Sequence, residues 1–111
     1  MTTLASACSD HRRTLWMRGE ARLRDASNEE LEELRATSHI TRSAITRPLV
    51  TLRLLVPDTA VHSTAQAMVV ATYNMVNAVT GIEELTAAQD IARAAHDRFV
   101  DAAAAYFGAN T

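Results

Sequence analysis

The chain has 111 residues, 48% hydrophobic and 22% charged, and its 11 basic side chains are all Arg against 13 Asp plus Glu, for a formal charge of -2. One Cys excludes an intrachain disulfide, and three Gly plus two Pro are too few for the turns of an all-β domain. What remains is one small helical domain; surface scaling leaves roughly 6,000 Å² exposed of roughly 17,500 Å² in the unfolded chain, enough burial for a core without metal or disulfide staples.

A single domain over residues 1–111 is expected, with frayed tails at about 1–8 and 109–111. Leu4-Ala5-Ser6-Ala7-Cys8 has the outline of a lipoprotein cleavage box, but neither a basic nor an apolar region precedes it, so it reads as a tail. The first helix is expected from about Ser9 to Ala26. Trp16, Gly19, Leu23 and Ala26 recur at spacings of three and four, Leu15 widens that face, and Arg12, Arg13, Arg18, Arg22 and Arg24 occupy the other.

Ser27-Asn28-Glu29-Glu30 fits a capping box, with acids at 29, 30, 32 and 33 where the helix dipole favours them. The second helix runs from Asn28 to about Val56, its apolar face formed by Leu31, Leu34, Ile45, Leu49, Leu52 and Leu55. Pro48 lies inside the pattern. It removes a backbone donor and crowds the carbonyl four residues back, so a kink near Ile45 is expected, or a split into two helices.

Asp58 is placed to cap a third helix from Thr59 to about Thr80, where Val61, Ala65, Met68, Thr72, Met75 and Val79 form a heptad seam broadened by Val69, Val70 and Val76. Gly81 stands where a left-handed residue is needed to end that helix, and Thr80 with Glu83 fits a second capping box. The fourth helix, Ile82 to about Phe107, carries Leu85, Ala88, Ala92, Ala95, Phe99, Ala102 and Tyr106 in an unbroken 3-4 pattern, and Gly108 is a natural C-cap. Four helices with short connections predict an all-α, antiparallel four-helix bundle with a kinked second helix.

The chemistry-bearing residues do not assemble into a motif. Three residues before His11, His39, His62 and His96 stand Cys8, Ala36, Thr59 and Arg93, so the Glu-x-x-His pairs of a di-iron bundle are missing. Cys8 and His11 lack the two further ligands of a zinc site, and no Ser or Cys stands in a triad pattern. The histidines read as surface residues on helix flanks. The most apolar stretch, Ala60 to Val79, contains His62, Gln66, Asn74 and Asn77, which argues against insertion into a membrane.

Two sets of residues are candidates for function. Trp16 is either a plug over the bundle end or, with Arg12, Arg18 and Arg22, part of a candidate interface on the first helix. Met68, Thr72, Tyr73, Asn74, Met75 and Asn77 form either a polar layer or a ligand pocket on the third. Residues 1–57 carry nine Arg and seven acids, residues 58–111 two Arg and six acids, which suits self-association better than nucleic-acid binding at a pI of about 6.0.

Arg53-Leu54-Leu55-Val56-Pro57-Asp58, then an Ala/Val-rich helix, then Glu83-Glu84-Leu85 and an Ala-rich helix closing on Tyr106-Phe107-Gly108, resembles a group of uncharacterised actinobacterial proteins over about residues 45–108. Many members of that group carry a membrane helix before the helical part. The resemblance implies an elongated antiparallel helical bundle and no activity.

The expected function is a non-enzymatic, cytoplasmic interaction or scaffold module, with coiled-coil-like seams, no cofactor and a second copy or another protein as partner. A small-molecule sensor with a pocket inside the bundle is the alternative. A nucleic-acid accessory protein using the Arg face is the third reading.

Overall fold

The computed structural model describes residues 3–78 and 80–109. Four helices follow one another: α1 Leu4–Leu23, α2 Asn28–Leu55, α3 Thr59–Asn74 and α4 Ile82–Ala109, with a single 3-10 turn at Met75–Asn77 after α3. Among the described residues there is no strand, and the all-α class holds.

Local chemistry sets most of the helix ends. The Ser27 hydroxyl accepts from the Glu30 backbone N–H at 3.2 Å and caps α2. The Glu30 carboxylate goes instead to Arg24, at 2.7 Å, and ties the α1–α2 turn. Asp58 caps α3 through Oδ1, which accepts from the Ala60 N–H at 2.9 Å. The His62 ring reaches back to the Val56 carbonyl and closes the same corner.

Several ends differ from the sequence reading. Residues 4–8 are not frayed: α1 starts at Leu4 on a Thr3 cap, and Leu4, Ala7 and Cys8 are buried. Thr3 is itself an N-cap residue, and Leu4, Ala7, Cys8 and His11 recur at helical spacing, a pattern masked by the lipoprotein-like composition. α1 leaves through Asp25, at φ 54°, with Ala26 N–H donating to the Ala21 carbonyl and Asp25 N–H to that of Arg22. That is a Schellman closure with Asp where Gly is usual.

α3 ends at Asn74, not Thr80, and tightens into the 3-10 turn. Gly81 is not left-handed. Its carbonyl accepts from the Leu85 N–H at 3.0 Å, so Gly81 rather than Thr80 occupies the N-cap position of α4. Gly108 does not stop α4, which continues to Ala109. Residues 110 and 111 of the expected C-terminal tail lie outside the described residues, as does Val79 of the α3 seam. α2 passes through Pro48 as one helix, not two.

Packing divides the helices unevenly. α2 lies mainly on α1, and α4 mainly on α3, while α1 also reaches α4. The backbones of α2 and α4 do not come together among the described residues. The body is 51 × 25 × 16 Å. One core joins Leu4, Ala7, Cys8, Ile45, Val61, Met68, Ala95 and Phe99; the other joins Leu15, Met75, Ala78, Leu85 and Ala92, with Trp16 against it. Of the expected seams, Val61, Ala65, Met68, Thr72 and Met75 are buried, with Val69, as are Leu85, Ala92, Ala95 and Phe99 of α4; Ala88, Ala102 and Tyr106 are half-buried, and Val70 and Val76 are exposed. On α2, Leu55 is 73% exposed and leaves the predicted face.

Candidate functional site

The most connected polar cluster surrounds His11, which is 3% exposed. This corrects the surface reading: residues 7, 8, 11, 14 and 15 form the buried face of α1, and position 11 falls on it. His11 Nδ1 lies 2.8 Å from Thr41 Oγ1 on α2. With the Thr41 hydroxyl donating to the Ser38 carbonyl at 3.2 Å, its oxygen accepts from the Nδ1–H of a neutral ring. The imidazole meets Tyr73 of α3 edge-on, 5.7 Å between centroids, and the Arg42 guanidinium sits 4.3 Å from the Tyr73 centroid. Burial, and then the positive charges of Arg42 and Arg18, push the His11 pKa down to about 4. The group joins three helices, and near neutral pH its histidine holds no charge to exchange.

The two sequence-derived sets do not form sites as units. Trp16 is half-buried and packs as a plug on the second core. Arg12, partly buried, faces Arg93 and Asp97 of α4, and burial lowers its pKa. Arg18 and Arg22 line a small cavity with Gly19, Met75 and Ala78 at the other end of α1. On α3, Met68, Thr72 and Met75 are buried core residues while Asn74 and Asn77 are exposed, so no common pocket wall is made from them. Thr72 turns its hydroxyl onto the Met68 carbonyl at 2.8 Å and needs no second partner.

The large concavity lies where α2 and α4 fail to meet. It is an open groove of about 1040 Å³. Its walls are Arg47, Pro48, Thr51 and Leu55 of α2 and Val100, Ala103, Ala104 and Phe107 of α4, with Leu4 and Phe99 at its floor. Arg47 is the one charged side chain among its described lining residues. Val100 and Phe107 stand seven residues apart, off the 3-4 seam of α4, and that second stripe was the available sequence signal. Among the described residues no three His, Cys, Asp or Glu gather to hold a metal ion.

A family model described as KilB plasmid transfer protein matches residues 1–107. The chain belongs to this family. It is 46% identical over 109 residues to Protein KilB of Streptomyces lividans, covering 98% of this chain and 72% of that relative. No solved structure matches. The Streptomyces source of this KilB relative is compatible with the coarser actinobacterial resemblance over residues 45–108, which does not name this family. The groove and the His11 cluster both lie inside the span that the KilB family model covers. Within that span no helix of the described residues is long and apolar enough to cross a membrane.

Proposed function

We propose that this KilB-family chain is a non-enzymatic interaction module in plasmid transfer and that it associates with itself. The observation that carries the reading is the open groove between α2 and α4, flanked by Leu55 at 73% exposure and by exposed Val100 and Phe107. Large apolar side chains held beside such a concavity are the mark of a surface covered by another protein. The heptad seams of α3 and α4 are largely used inside the monomer, and the exposed apolar side chains beside the groove lie on the outer sides of α2 and α4.

Light scattering on the full chain tests this. The expected result is a mass above 12.1 kDa that falls on dilution. A strict monomer at high concentration overturns self-association. A Leu55→Ser, Phe107→Ser pair that folds normally and still supports plasmid transfer removes the groove from the function.

A further inference from the structure

The outer side of α2 is arranged about a midpoint, with matching alanines and opposite charges at equal distances from it. Facing away from α1, at steps of three and four, stand Glu29, Glu33, Ala36, Ile40, Ala44, Arg47, Thr51 and Leu54, all exposed. Ile40 is the midpoint and is 71% exposed. Four residues to either side is an alanine; seven residues to either side is Glu33 in one direction and Arg47 in the other.

The charges of α2 follow the same division. Residues 28–41 hold four Glu and one Arg, a net -3; residues 42–55 hold three Arg and no acid, a net +3. Within the monomer Glu33 and Arg47 make no ion pair among the described residues, whereas Glu32 pairs with Arg35 and Glu30 with Arg24. Neither has an opposite charge three or four residues away on its own helix.

We infer that a second copy of this chain docks on this face, with the two α2 helices antiparallel across a twofold axis at Ile40. This deepens the self-association proposed above and rests on it. Under that symmetry residue i faces residue 80 minus i, so Ile40 meets its own copy, Ala36 meets Ala44 and Glu33 meets Arg47, each of the last two twice. The alanines permit close approach of the backbones, and the isoleucines form the apolar centre. A parallel pairing sets acid against acid and base against base along the whole helix, so charge selects the orientation. Ala44, Arg47 and Thr51 also line the α2 wall of the groove, so the partner's acidic helix start lies along its mouth, where Arg47 is.

The test combines charge swaps with a crosslink, on the full chain. Glu33→Arg and Arg47→Glu each place two like-charge contacts in the dimer and are expected to weaken it about tenfold or more; the double variant E33R/R47E restores it. Ile40→Cys is expected to give a reducible dimer in mild oxidant, which the wild type, with Cys8 buried, does not. Circular dichroism confirms that each exposed-site variant stays helical. A dimer that ignores both single swaps and gives no Ile40→Cys crosslink overturns this pairing and leaves self-association standing. A wild-type chain that is monomeric throughout overturns both.

Discussion

Gly19 of α1 lies directly against Leu85 of α4. A methyl group added at position 19 would stand 2.9 Å from Leu85 Cδ2 and 3.0 Å from Cδ1, and Leu85 is fully buried. This glycine sets how closely α1 reaches α4. It carries no special backbone angle, so its reason is contact alone.

Gly19→Ala therefore sets two effects against each other. Helix propensity favours Ala by about 1 kcal/mol, while crowding a packed core costs roughly 1–3 kcal/mol. Net destabilisation is expected in the wild type. In a Leu85→Ala background the crowding is gone, and the same change is expected to stabilise. Denaturant melts of the four proteins check this; equal effects in both backgrounds would disprove the contact.

The His11 cluster predicts a pH dependence with a definite sign. The folded pKa is about 4 against 6.5 for the free side chain, so the unfolded chain takes up the proton first as pH falls. The contribution is complete above pH 6.5 and is lost between 6.5 and about 4, at up to about 1.4 kcal/mol per pH unit. Thermal melts from pH 7.5 to 5 are expected to show that decline, and His11→Gln to flatten it. An unchanged slope in the variant would place the responsible group elsewhere.

Asp25 closes α1 in the left-handed region, where a side chain costs roughly 1–2 kcal/mol, and its negative charge faces the negative end of the helix dipole. Asp25→Gly is expected to stabilise by about 1 kcal/mol and Asp25→Val to destabilise by at least as much. A thermal shift of the wrong sign in either variant counts against the Schellman closure as the element that ends α1.

Much of this fold was legible because its signals are local. Ser27 and Asp58 cap the helices they were expected to cap, since an Ncap oxygen needs only the N–H two or three residues on. The α3 and α4 seams were legible because their apolar residues recur at unbroken steps of three and four, even though a second set, Val70, Ile91, Val100 and Phe107, lies exposed off the seam. α1 was misread because Trp16 and Leu23 are apolar yet lie half-buried or exposed, while His11 and Thr14 are polar yet buried. Their burial is made possible by Thr41 and by the Asp10 carbonyl, and the Thr41 partner is thirty residues away in sequence. The groove was only half legible: the Val100–Phe107 stripe marks its α4 wall, but the opening itself depends on α2 packing on α1 without reaching α4, a tertiary choice that periodicity does not encode.

Cys8 gives the most direct check that the chain folds from its fourth residue. Its thiol is fully buried in the first core, and burial, only partly offset by Arg12, pushes its pKa up to about 11. Both effects suppress thiolate chemistry in the native state, since reaction needs an exposed and ionised sulfur. At pH 8 an aromatic disulfide reagent is therefore expected to label the native chain only through opening events. If opening costs about 4 kcal/mol, labelling is slower than in denaturant by about a thousandfold. Replacing Leu4 with Ala removes a neighbouring core side chain and is expected to speed labelling by lowering that opening cost. Labelling of the native wild type at the denatured rate would mean that residues 4–8 are detached, and the first core would then end at Val61, Met68 and Phe99 with α1 anchored only from His11 onward.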